Sequence, residues 1–429
     1  MHPLRSLPLL LLALALVPAT ANAQGGPGAP YGSSVYSEGP GFRLGHLPLT
    51  VHPGLSTEVG YDSNVFYLPS NEIGSAMLRL RAHVDLTTLP PQSYEGDKST
   101  ADPKIDFRFS ALAEYREYLT SNPAVQAQRS LNVGATLDFT ALPRGPFTLR
   151  VVDNFLRTVD PRNQESTANY TRDYNRTGIV ASYRRGIVEF GLADNFVLNL
   201  FETPDANFAN NYSNEGELFV RVKVLARTLL TASARAGYVN YTGNASLEAV
   251  PLRLLVGAST LFTTWFGASL SAGFGYSFNL HGESFGSVIG SANLLFLIPH
   301  AGRITVGYRR DFSDTALANV YSDDQAYVAY DQPLVSRLTA HLDGSVRFRN
   351  YISLVDPSVL GASGFSSPTR SDRIYEAHAE LNVRATSWLV AGVSYNLLAD
   401  DTDFAVLSPN PVPVRYLKHS AFARVDIAY

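Results

Sequence analysis

The side chains with the most chemistry to offer recur at every second position of this chain. Arg79 and Arg81 lead to His83 and Asp85, Arg337 leads to Asp343, Arg347 and Arg349, and Glu376, Glu380 and Arg384 repeat the spacing. Period two puts each set on one face of an extended strand. The same alternation adds Arg108, Arg221, Lys223, Arg235 and Arg424 to that face, with fewer acids such as Glu114, Glu189, Glu217 and Asp426 beside them. Guanidinium groups present several planar donors to carboxylates, phosphates and sugar hydroxyls. A water-filled passage lined in this way favours anionic or hydroxyl-rich solutes.

Catalysis is poorly served by comparison. His281 and Ser284 share one loop, and His83 and His378 face the same way on separate strands, but no nucleophile, base and orienting group come together. The chain therefore reads as a non-enzyme. No Gly-rich phosphate loop precedes a helix and no metal-ligand spacing occurs, so neither a metal nor a cofactor is expected. Asp314, Asp323, Asp324, Asp400, Asp401 and Asp403 gather near expected outer loops, where solvated rim charges account for them better than a bound divalent cation. Cysteine is absent, which excludes disulfides and thiol chemistry. A net charge of −4 gives no reason to expect a nucleic-acid partner.

The elements that carry these residues are long. From residue 49 onward the chain alternates apolar and polar positions in segments of about 12 to 16 residues, whereas strands of soluble sheets average five or six. A tilted strand that spans a bilayer needs about 9 to 11. An even count of about 18 segments, within a range of 16 to 18, runs from 50–66 to 415–429. The fold expected is all-β: a transmembrane antiparallel up-and-down β-barrel in the bacterial outer membrane, surrounded by outer-membrane lipids. Tight connections at 143–146, 185–186, 226–227 and 386–387 interleave with longer polar ones, while 90–104 is long where a short turn belongs. Trp265 and Trp388 follow tight turns, where an aromatic girdle would lie, and Tyr429 ends the last amphipathic strand. Strict alternation turns Asp153 and Asp194, each in an Asp-Asn-Phe triplet, toward lipid; a bulge or a place at the rim would relieve this.

Three regions follow. Residues 1–23 read as a signal peptide, with Arg5, an apolar run from Leu7 to Val17, and Ala21-Asn22-Ala23 before the cut. Residues 24–48 form a Gly/Pro-rich periplasmic linker, and 49–429 the barrel. The first barrel strand carries Gly60-Tyr61-Asp62-Ser63-Asn64-Val65-Phe66. With the signal before it and the strand count after it, the chain resembles a family of outer-membrane β-barrel porins that accompany exopolysaccharide synthesis genes. The terminal aromatic resembles the signal read by the barrel assembly machinery. The family resemblance implies the barrel component of a composite translocon, exporting a secreted or capsular polysaccharide delivered by a periplasmic polysaccharide export protein. A general or substrate-selective diffusion porin for small solutes is the alternative, with 353–371 as a possible constriction, and an outer-membrane hydrolase is the reading least served by the residues.

Overall fold

Alternation of this kind can satisfy its backbone in hydrocarbon only if the first and last strands meet, because an open sheet edge would leave a row of unpaired N–H and C=O groups. In the computed structural model they do. It describes residues 41–45, 49–88, 104–160, 171–298, 302–335, 337–408 and 410–429. The expected signal segment, and all of the expected linker except 41–45, lie outside these residues. Eighteen antiparallel strands form the wall: β1 (Thr50–Asp62), β2 (Ser75–Thr87), β3 (Ile105–Leu119), β4 (Ser130–Ala141), β5 (Phe147–Thr158), β6 (Arg172–Arg185), β7 (Val188–Phe201), β8 (Asn211–Leu225), β9 (Thr228–Tyr241), β10 (Ala249–Leu261), β11 (Phe266–Asn279), β12 (Phe285–Ile298), β13 (Gly302–Ser313), β14 (Ala318–Val335), β15 (Leu338–Leu354), β16 (Arg370–Arg384), β17 (Leu389–Asp401) and β18 (Tyr416–Ala428). Each pairs with its neighbour in sequence, and β1 closes the ring against β18, with Leu55 opposite Ile427 and Glu58 opposite Arg424.

The outer face follows from the register. Leu55 and Val59 on β1, Leu218 on β8, Leu254 and Val256 on β10, Leu270 on β11 and Val288 on β12 are exposed. So large an apolar surface belongs against lipid rather than water. Trp265 and Trp388 are exposed at the end that carries the short turns and the C-terminus, and Tyr429 packs on Phe42 with ring centroids 4.5 Å apart. Tyr61, Tyr308, Tyr375 and Tyr395 are exposed toward the opposite end. The molecule is an outer-membrane barrel, a class in which the short turns lie on the periplasmic side.

The two Asp-Asn-Phe triplets are accommodated without a bulge. Asp153 stays in register opposite Leu137 and Thr177 and does face outward. Thr177 Oγ1 donates to it at 2.6 Å and Asn175 Nδ2 at 3.2 Å. Asp194 likewise accepts from Asn214 Nδ2 at 3.0 Å. Polar neighbours on the adjoining strand, rather than a change of register, satisfy the two carboxylates.

At the outer end the loops pack on one another. Val239, Tyr241 and Leu247 bury against Ala209, Ala316 and Val355, and Val359 of a short 3-10 turn (Pro357–Leu360) joins them. On the opposite side Val65, Met77, Tyr118, Val125 and Phe422 form a second cluster. The segment 353–371 therefore contributes to a cap over the outer end through Val355 and Val359, alongside residues from three other loops.

The register gives the first prediction. Leu270 and Ser271 are neighbours on β11 that face opposite ways, lipid and lumen. Leu270→Arg should destabilise the folded barrel by about 2 to 4 kcal/mol if it lies near the midplane, whereas Ser271→Arg should keep near wild-type stability. The midpoint of heat-modifiable mobility in gels measures both, and equal losses would contradict the assignment of faces.

Candidate functional site in the barrel lumen

Inward charges on a barrel wall sit about 5 Å from the positions directly opposite them on neighbouring strands, so the cheapest partner for an arginine is a carboxylate one strand away. The chain uses this repeatedly. Arg81 on β2 reaches Glu58 on β1 and Glu114 on β3, each at 2.5 Å. Arg116 shares Glu114 at 2.5 Å, and Asn132 Nδ2 donates to the same carboxylate at 3.0 Å. Arg79 lies 3.3 Å from Glu58 with its guanidinium 3.9 Å from the centre of the Phe422 ring. Arg424 holds Glu380 at 2.7 Å and Asp426 at 2.6 Å, and Lys418 holds Asp62 at 2.9 Å.

These groups are buried, not bathed. Arg81, Glu58, Glu114 and Arg116 are all nearly inaccessible. Farther along the same arc, Arg349 is 1% exposed, bound to Asp323 through two hydrogen bonds of 2.9 and 3.1 Å, and stacked 3.9 Å over Tyr321. Arg347 stands between Asp323 at 3.8 Å and Glu376 at 3.6 Å. Arg370 pairs with Asp372 beneath Tyr351 and Phe404. Through these contacts the inner wall of β14 to β18 and β1 to β3 is packed with ion pairs.

Open space lies on the other side. A cavity of about 1440 Å³ is lined by the inward faces of β3 to β10 and by the outer end of β13. That end folds inward: Arg253 on β10 donates to the Phe312 carbonyl at 2.7 Å and to Asp311 at 3.2 Å, three strands away. The Phe312 ring rests against Gly275, where a Cβ would lie 2.3 Å from it. Tyr241 reaches still farther and donates to Asp314 at 2.8 Å.

The residues singled out from the sequence divide between these two regions. Arg108, Arg221, Lys223 and Arg235 line the cavity. Arg79, Arg81, Arg347, Arg349, Glu376, Glu380 and Arg424 belong to the paired, largely covered wall. His83 and Asp85 sit 3.9 Å apart, and Asp85 accepts a hydrogen bond from Ser110. Asp343 accepts from His341 at 3.0 Å, while Arg337 donates to the Ala385 carbonyl at 3.3 Å and Arg384 is exposed near the same periplasmic end. Arg253 escaped notice because its neighbours Leu252 and Leu254 hide it in an apolar run, although alternation does turn it inward. Arg227 reads only as a turn residue, and Arg184 only as the last residue of a strand before the 185–186 turn. No group of three or more His or carboxylate residues suited to a metal occurs among the described residues.

No family model matches the chain, and no curated protein matches it. Solved structures that resemble it include OccK2 (OpdF) of Pseudomonas aeruginosa in complex with glucuronate, at 10% identity and a TM-score of 0.47 over 88% of this chain and 98% of that one. OccAB2 of Acinetobacter baumannii gives 11%, 0.46, 88% and 98%. The siderophore receptor PirA of P. aeruginosa gives 9%, 0.42, 88% and 80%. Likeness at this level carries no information about what passes through the present barrel.

Two predictions follow from the packed wall. Removing one partner of a buried ion pair costs about 3 to 5 kcal/mol; Arg81→Ala leaves Glu58 with Arg79 alone and Glu114 with Arg116 and Asn132, so it should fall at the lower end, about 3 kcal/mol. The midpoint of heat-modifiable mobility reports it, and a loss below about 1 kcal/mol, the range of an exposed pair, would show that the network is solvated. Asp160, in the loop after β5, is bound by Arg116 at 2.9 and 3.0 Å. Burial opposes its charge, but the Arg116 guanidinium outweighs burial and holds the carboxyl down to about 2. Its stabilising effect is therefore complete above the unfolded value near 4 and disappears as pH falls toward 2. Asp160→Asn should lower barrel stability at pH 7 and flatten the wild-type decline between these limits.

Proposed function

We propose that this chain is a passive outer-membrane channel for small polar solutes. The observation that carries this reading is the cavity itself: an off-centre, charge-lined space of about 1440 Å³, with much of the remaining inner wall occupied by buried ion pairs. Pockets for drug-sized molecules measure about 300 to 1,000 Å³, so this volume suits a small solute or a short oligosaccharide. A threading polymer needs a broad, continuous lumen, and here Val239, Tyr241, Ala316 and Val355 pack together at the outer end. Weak, distributed contacts along arginines and carboxylates allow a solute to enter and leave, where a single tight site would hold it.

Polysaccharide export, which the family resemblance implies, is the competing outcome of the test. Purified full-length barrel reconstituted in planar bilayers should give discrete ion conductance, and loaded liposomes should swell in monosaccharide solution. Deleting the gene should slow uptake of small solutes while surface polymer stays normal. Loss of surface polymer with unchanged solute uptake would overturn the diffusion reading in favour of export.

A further inference from the structure

The charges around the cavity are not evenly mixed along its length. At the periplasmic end, Arg184 on β6, Arg221 and Lys223 on β8, and Arg227 in the turn that follows all line the space. Glu189 is the carboxylate among them, and both of its oxygens are engaged, by Arg184 at 2.8 Å and Arg221 at 3.0 Å. Lys223 and Arg227 are exposed and have no ion pair among the described residues. The mouth thus carries a surplus of three positive charges. Arg108 and Arg150 nearby are matched in number by Asp106 and Asp138 and leave that surplus unchanged.

Toward the outer end the balance reverses. Arg176, Arg235 and Arg253 face four carboxylates: Glu215, Glu217, Asp311 and Asp314. Lys223 and Glu215 stand eight residues apart on β8, about 27 Å along the strand. That exceeds the Debye length of about 10 Å at 0.1 M salt, so the two zones act on ions separately instead of cancelling.

We infer that the periplasmic mouth is an anion-capture site for small carboxylates or phosphates and that the lumen is polarised along its axis. This rests on the channel reading and adds a solute class and a direction. An anion that enters from the periplasm meets the positive zone first, whereas one that enters from outside meets carboxylates first. Both ion types fill the lumen when the field drives anions in through the positive mouth and cations in through the negative end. Conductance is then highest with the periplasmic side negative, because focusing of the field by the pore walls raises the local concentration of each ion.

Single-channel recording of the full chain tests this with citrate as the probe. At about 0.1 M salt the current should be asymmetric in voltage, and citrate should block from the compartment whose negative polarity gives the larger current. Both effects should fade at about 1 M salt, where the Debye length falls to about 3 Å. Both should also be lost in Lys223→Gln/Arg227→Gln, whose exposed, unpaired side chains can change without disturbing the wall. Conductance that is symmetric in the wild type, or asymmetry that survives in the double variant, overturns the inference and leaves the channel intact. Absence of conductance in every preparation overturns the channel reading and this inference with it.

Discussion

Closure of β1 on β18 is the constraint from which the rest of the molecule follows. Backbone groups exposed to hydrocarbon have no water to bind, so the ring must be complete and every strand must keep its register. Once Glu58 stands opposite Arg424 and Leu55 opposite Ile427, the direction of each side chain in the first and last strands is settled. A slip of one residue would exchange the two faces and turn the buried charges of the lumen toward lipid. Register is thus enforced from both sides, by leucines outside and by ion pairs within.

Those pairs explain how a narrow polar interior can be dense without being costly. An isolated buried guanidinium is severely destabilising, yet one held between two carboxylates on flanking strands, as Arg81 is by Glu58 and Glu114, has its charge and donors matched. The ladder arrangement uses strand spacing that the backbone supplies in any case. It also stiffens the wall from which the cavity is carved. The cavity arises where short inward residues such as Thr140, Thr148, Ser182 and Ser259 leave room, and where Phe312 and Arg253 lean across the space to set its outer limit.

The location of unpaired charge matters more for transport than total charge. The inward face counted along the chain has an excess of arginine, but most of that excess disappears into pairs such as Arg349 with Asp323 and Arg424 with Glu380. What remains for a solute is concentrated near the turns, at Lys223 and Arg227, where the nearby carboxylate, Glu189, is already engaged by Arg184 and Arg221. A channel with strong internal pairing and free charge at one mouth attracts solutes without trapping them.

The sequence by itself determined the all-β architecture, a count of about eighteen long strands, and the alternation that gives each of them one apolar face. It could do so because period-two alternation is a local property that every strand repeats. The bulge expected to relieve Asp153 and Asp194 does not occur: both stay in register facing outward, satisfied by Thr177, Asn175 and Asn214 on other strands, which no local pattern shows. Only the tertiary structure decided which inward residues meet solute. Arg347 and Lys223 are indistinguishable by spacing, yet one is sealed between Asp323 and Glu376 while the other stands at an open mouth. The reach of Arg253 to Phe312 and of Tyr241 to Asp314 was equally hidden, because contacts across a barrel depend on which strands close the ring and how their loops fold back, and no local pattern encodes that.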